Sequence, residues 1–248
     1  VAHSRDDEMI PIEHGRKLAR HEPERIWGWG TPAGRLRAAR RADLIARGAG
    51  LGPGKRALEI GCGTGLFTEQ FARSGAQIVA VDISPELLDK ARARALPESQ
   101  VRFLAKPFEQ CEADGPFDAV IGSSILHHLD IQPALAGILA LLKPGGAMCF
   151  AEPNLLNPQI MIQKNVPWIR ERLGDSPDET AFFRWPLRRL LLSSGFEEVA
   201  ITPFDWLHPA TPQAMIGVVK ALGSFLEKTP LLRELAGSLL IRAARAAS

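Results

Sequence analysis

Between residues 56 and 151 the chain repeats one alternation, a short apolar run followed by a segment of helical period. The runs are RALEI (56–60), QIVAV (77–81), VRFLA (101–105), FDAVI (117–121) and AMCFA (147–151). Helix-period segments at about 65–74, 85–95 and 132–142 stand between most of them. Short β-rich runs divided by helices call for parallel strand pairing with right-handed crossovers, so the fold class is α/β. QIVAV and AVI are apolar without a break, as strands covered on both faces are.

The first run leads into a glycine-rich loop, Gly61-Cys62-Gly63-Thr64-Gly65, which opens a helix. Ligands of open α/β sheets bind at such carboxyl ends. The dinucleotide fingerprint G-x-G-x-x-G, counted from Gly61, needs a glycine where Leu66 stands. A phosphate P-loop would need Gly-Lys-Ser/Thr, which does not follow. Asp82 ends the second run in VAVDIS. A carboxylate there accepts hydrogen bonds from a ribose diol, in NAD sites and other adenosine sites alike.

Four landmarks in this order, LEIGCGTG, VDIS, FDAVIGSSILHHL and LKPGGAMCFAEP, resemble the class I S-adenosylmethionine-dependent methyltransferases of the small-molecule type. The resemblance covers residues 55–152 strongly and 185–244 by pattern. It implies a doubly wound, mostly parallel seven-stranded sheet, Rossmann-like, with helical cap insertions. It implies S-adenosyl-L-methionine as cofactor and S-adenosyl-L-homocysteine as product. Gly61, Cys62, Gly63 and Gly65 would then bring backbone against the cofactor's uncharged sulfonium-amino acid moiety, and Glu59 would help to hold its ammonium. Asp82 would bind the ribose, Ile83 would pack on adenine, and Ser123 would meet the methionine part. One place departs from the pattern. In LAKPFEQ, Pro107 and Phe108 fall where the family carries an acid and a small residue for the adenine, leaving Glu109 as the substitute acid. The Asn/Asp-Pro-Pro-Tyr/Phe motif of adenine- and glutamine-methylating members is replaced by GSSI, which argues against those acceptors.

Displacement at a sulfonium methyl needs alignment above all, with a base assisting deprotonation. His127 and His128 are the candidate bases, because imidazole titrates near neutrality. The alternative is a helical turn whose histidines pack or cap. Glu152 ends the fifth run and is expected in the same crevice, against substrate. Trp27 and Trp29, set among glycines, are the candidate pocket cover. The N-terminal helices (1–50) are expected to form part of a cap on a methyltransferase domain (51–248), with cap inserts at about 153–180 and 209–235. Trp168, Phe182, Phe183, Trp185, Trp206, Met161 and Met215 in these pieces imply an enclosed apolar pocket. The segment 212–227 is expected as a lid in preference to a membrane-lying helix or a pairing surface of a homodimer.

Charge supports a small-molecule partner. Across 248 residues, 30 Lys+Arg stand against 28 Asp+Glu. A net +2 gives no basic face for nucleic acid. The cluster Arg35, Arg37, Arg40 and Arg41 is expected on the wet side of a helix over 33–47, with Leu36, Ala39 and Leu44 opposite. Cys62, Cys111 and Cys149 are too scattered for disulfides or a metal site, which suits a reducing, cytoplasmic setting. No apolar run approaches the ~20 residues of a membrane span, and VAHSRDDEMI is too polar for a secretory signal. Two rivals stand beside the enzyme: a cofactor-binding regulatory or scaffold module without turnover, and an NAD-dependent oxidoreductase.

Overall fold

The computed structural model describes residues 20–165 and 181–247. Strands β1 (Arg56–Ile60), β2 (Gln77–Asp82), β3 (Val101–Ala105), β4 (Phe117–Ser123), β5 (Leu142–Pro153), β6 (Phe196–Phe204) and β7 (Ser238–Arg245) form one sheet. Their order is β3-β2-β1-β4-β5-β7-β6. Strands β1 to β5 pair in parallel, and β7 runs antiparallel between β5 and β6. The order reverses between β1 and β4, which makes the carboxyl ends of these two strands the ligand crevice.

The helices are α1 (Pro23–Ile26), α2 (Pro32–Gly48), α3 (Leu66–Ala72), α4 (Pro85–Arg92), α5 (Ile131–Leu141), α6 (Pro158–Asn165), α7 (Arg184–Ser193) and α8 (Ile216–Lys228). Strand alternation divides the core into two layers. Leu58, Val79 and Val81 pack with Leu135 and Ile138 of α5 and Leu187 and Leu191 of α7. Ala57, Ile78 and Ala80 pack with Ala42 and Ile45 of α2, Phe71 of α3 and Leu88 of α4.

Helix α2 forms where expected, and Leu44 packs against the core while Arg35 and Arg40 are exposed as expected, but most of its buried face is a different one. Thr31 caps it, accepting the Gly34 N–H at 2.9 Å, and Pro32 opens its first turn. Its buried positions are Ala33, Gly34, Ala38, Arg41, Ala42 and Ile45, whereas Leu36 and Ala39 face outward. The arginine cluster is therefore not a uniformly wet face. Arg41 is 3% exposed. Arg37 pairs with Asp205 at 2.8 Å, and Arg40 with Glu227. Small residues explain the difference: they let α2 lie close to the sheet, so that a Cβ on Gly48 would stand 2.6 Å from Cys149 Sγ.

Three bounds also shift. Strand β5 starts at Leu142, because LKPGG runs within it and Gly145 turns at φ +72°. The expected cap insert 209–235 holds α8 between two short 3-10 turns, Gln213–Met215 and Leu232–Leu235. Helix α6 accounts for the first part of the 153–180 insert. Trp168, with the rest of 166–180 and the N-terminal stretch 8–19, lies outside the described residues.

Candidate functional site

The loop after β1 is shaped by glycines that no other residue replaces easily. Gly61, Gly63 and Gly65 hold φ +67°, +52° and +75°. A Cβ on Gly61 would also meet the Ile125 side chain at 2.6 Å. Asp82, at the end of β2, ties the loop down. Its Oδ2 accepts the Gly63 N–H at 2.8 Å and its Oδ1 accepts the Ser84 N–H at 2.9 Å. The Ile83 N–H also bonds this carboxylate, whose two oxygens together offer about four lone-pair sites. Burial raises the Asp82 carboxyl above its ordinary pKa, against these amide bonds. Ile83 beside it is half-buried.

Glu59 is buried under the loop, and its Oε2 has no hydrogen-bond partner among the described residues. Burial pushes its pKa up to about 8, opposed by the Thr68 hydroxyl. A buried carboxyl with a spare oxygen costs free energy unless a donor or cation reaches it. Glycine cradle, strand-end carboxylate and orphaned acid fit an adenosine that carries an ammonium. Two expected contributors turn their side chains into the core. Cys62 turns its side chain into the core, donates its N–H to Val81 O and gives its carbonyl to Gly65 N. The Phe108 ring is also a core group, packed against Gly137 of α5, because the 3-10 turn Phe108–Gln110 points it inward. Pro107 caps that turn and stays half-buried; Glu109 is exposed.

The N-terminal segment lies across this loop. Trp27 comes within 3.5 Å of where a Gly63 Cβ would stand. Trp29 meets Phe67 edge-on, with ring centroids 5.5 Å apart. Glu24 latches the segment down, accepting the Thr64 hydroxyl at 2.9 Å and pairing with Arg94. Arg94 Nε in turn donates to Thr64 O at 2.7 Å. The two tryptophans are thus brought to the loop, and the Glu24–Arg94 latch is an addition the sequence did not announce.

Beyond β4 the chain turns sharply at Ser124, a non-glycine residue at φ +56°. Arg41 holds this turn from beneath. Its Nη1 donates to Ser124 Oγ at 2.9 Å, Ser123 Oγ at 3.2 Å and Ala151 O at 3.2 Å, and its Nη2 donates to Ser238 Oγ. All four partners are neutral. Burial lowers the Arg41 pKa to about 10. Arg41 was readable only as a member of the face that also carries Ala38, Ala42 and Ile45, at helical spacing.

The next turn, Leu126–His128, separates the two histidines. His127 is buried and His128 is exposed. His127 Nδ1 lies 2.6 Å from Glu152 Oε2. Glu152 Oε1 accepts the N–H groups of Ile125 and Leu126 at 2.9 and 3.0 Å. Glu152, expected against substrate, is fully buried, and both its oxygens are engaged by protein groups, one of them by the His127 ring. Burial works to raise its pKa, but the imidazole and the two amides hold it below the ordinary value. A cavity of about 400 Å³ adjoins, lined by Leu126, His127, His128, Leu129, Ile131 and Phe182, with Asp130.

Residues 57–146 match the family model described as "Methyltransferase domain". The fold around them is that of the class I S-adenosylmethionine-dependent methyltransferases. The ubiquinone biosynthesis O-methyltransferase of Xanthomonas campestris pv. campestris (strain B100) is 40% identical over 118 residues, 46% of this chain and 49% of that protein. The chain spans about half the length of the curated relatives it matches. Among solved structures, the N-methyltransferase NodS of Bradyrhizobium japonicum WM9, in complex with S-adenosyl-L-homocysteine, aligns with a TM-score of 0.62 at 18% identity, over 95% of this chain and 98% of that one. Magnesium protoporphyrin IX methyltransferase of Synechocystis PCC 6803, with bound S-adenosylmethionine, aligns with a TM-score of 0.61 at 16% identity, over 99% and 100%.

Proposed function

We propose that this chain transfers the methyl group of S-adenosylmethionine to a small, partly apolar acceptor, with His127 as the base that takes the acceptor's proton. The observation that carries this reading is the His127–Glu152 pair, 2.6 Å apart, with His127 in the turn after β4 and Glu152 near the end of β5. An ionised Glu152 can only accept, which puts a proton on Nδ1 and makes Nε2 the nitrogen that would take the acceptor's proton. A positioned base of this kind contributes about 10²–10⁴-fold.

The bound cofactor supplies an electrophilic methyl on a good leaving group. The Gly61–Gly65 backbone, Glu59, Asp82, Ile83 and Ser123 are the residues that would hold it, and Trp27 and Trp29 would cover it. Leu126, Leu129, Ile131 and Phe182 give the acceptor an apolar berth beside the base and help to keep water off it. Helix α6 and the 209–235 insert complete the proposed cap. Ubiquinone-type O-methylation and NodS-type N-methylation, named for the relatives, are the acceptor chemistries to try first. The three free, buried cysteines suit a cytoplasmic setting.

The test is formation of S-adenosylhomocysteine by the full chain with pools of phenols, carboxylic acids and amines. His127→Asn keeps a donor toward Glu152 but removes the base, so kcat is expected to fall about 10²–10⁴-fold with folding retained. Unchanged kcat removes His127 from the chemistry. Cofactor binding without turnover across all pools would favour a regulatory or scaffold module. Calorimetry showing NADH binding and no S-adenosylmethionine binding would overturn the reading.

A further inference from the structure

The helix that follows the histidine turn begins without the cap its sequence invites. Asp130 stands at the N-cap of α5, where an aspartate ordinarily accepts the N–H of the second or third helical residue. The third residue here is Pro133, which has no N–H to give, and the Asp130 side chain makes no capping bond. Its carboxylate forms no hydrogen bond or ion pair among the described residues.

Asp130 instead lines the cavity of about 400 Å³ that His127 and His128 also line, and it is exposed, so it stands at the rim. The described lining carries no lysine or arginine, and Asp130 is its one carboxylate. Leu126, Leu129, Ile131 and Phe182 make the rest apolar. Phe182 is a fixed part of that wall, since its N–H donates to Pro153 O at 3.2 Å and its carbonyl accepts the Leu155 N–H at 3.0 Å. A molecule held here buries an apolar body and leaves one end beside an unpaired carboxylate. A cationic end gains from that neighbour, whereas an anionic end meets like charge.

We propose that Asp130 is a specificity-determining residue of the acceptor site, taking the ammonium end of an amine-bearing acceptor and turning away acceptors that carry a carboxylate. This role rests on the cavity being the acceptor's berth, and it gives the acceptor a charge. Binding is measured without turnover, so a wrong base at His127 would show in kcat and leave the Asp130 result standing.

The test is calorimetry on the full chain saturated with S-adenosylhomocysteine, titrated with tyramine or with 3-(4-hydroxyphenyl)propionate. The two probes share a phenol ring and differ in the charge of the far end. Tyramine is expected to bind at least about tenfold more tightly, by a margin that narrows in high salt. Asp130→Asn should bring the two within about threefold of each other, and Asp130→Lys should reverse their order. Both variants should keep the fold and the affinity for S-adenosylhomocysteine, because no other side chain depends on this exposed carboxylate. A purely structural Asp130 would not reverse the order. Equal binding of the two probes, binding of neither, or a tyramine preference that survives Asp130→Lys overturns the proposal.

Discussion

Arg41 Nη1 donates to the Ser124 hydroxyl at 2.9 Å while Ser124 sits in the left-handed region at φ +56°. A helix that precedes the sheet in sequence therefore holds the backbone turn that follows its fourth strand. Left-handed serine costs of order 1–3 kcal/mol and persists only when its surroundings fix it. The guanidinium supplies that fixing, since it reaches the ends of β4, β5 and β7 at once.

Arg41→Ala is expected to destabilise the protein by about 2–4 kcal/mol, because it takes the shared donor from three buried or half-buried hydroxyls, while Ala151 O keeps only the Ser124 N–H. Urea unfolding measures this. A loss under ~0.5 kcal/mol would mean that water replaces the guanidinium without penalty.

Glu59 gives stability a pH dependence of definite sign. Its folded pKa of about 8 lies above the ordinary 4.5. Between these values the unfolded chain binds fewer protons, so the contribution is full below 4.5 and is lost as pH rises through about 8. The slope reaches about 1.4 kcal/mol per pH unit inside that window. Glu59→Gln should flatten it in urea titrations run from pH 5 to 8. Glu152 acts oppositely: its lowered pKa favours folding above the ordinary value, and that stabilisation is lost as pH falls through the lowered one.

Asp82→Ala should weaken S-adenosylhomocysteine binding by about 1–3 kcal/mol in calorimetry. Because Asp82 also accepts from Gly63 and Ser84, the same variant should lose stability of similar size. Lost stability with unchanged affinity would confine the carboxylate to shaping the loop.

Glu152→Gln tests orientation without removing volume. Its carbonyl can still accept from Ile125 and Leu126, but its amide then donates to His127 Nδ1 and drives the ring proton to Nε2. The base is blocked, and kcat should fall by about 10²-fold or more. His128→Ala should leave kcat within a factor of two or three, since the ring that Glu152 holds is that of His127. The reverse ranking would transfer the role to His128.

The parts of this molecule that were legible in its residues are those set by period and turn chemistry. Alternation in QIVAV, the Thr31-Pro32 start and the spacing of Gly61, Gly63 and Gly65 each have one local solution. What escaped was set by partners far away in the chain. An alanine-rich helix carries little apolar contrast, so the outward Leu36 outweighed the alanines, and a buried Arg41 becomes sensible only once Ser123, Ser124 and Ser238 converge on it. Phe108 failed in the same way: its place in the order matched adenine, while Gly137 opened a berth for it in the core. The two histidines, equivalent as text, were told apart only by where Glu152 ends.

Asp205 O accepts the Gly237 N–H at 2.8 Å, so the excursion between β6 and β7 leaves and re-enters the sheet at one pinned point. The stretch from Trp206 to Ala236 starts and ends at that clasp and is fastened again by Arg40 on Glu227, Arg184 on Glu234 and Asn154 on Ala236 O. Lengthening such a loop costs little entropy, roughly 0.6 kcal/mol for each doubling, and leaves the strand register alone. The donor end of the crevice, by contrast, is woven through β1, β2 and β4 and tolerates no such exchange. A lineage built on this plan can therefore vary the stretch between β6 and β7 while inheriting its methyl donor unaltered.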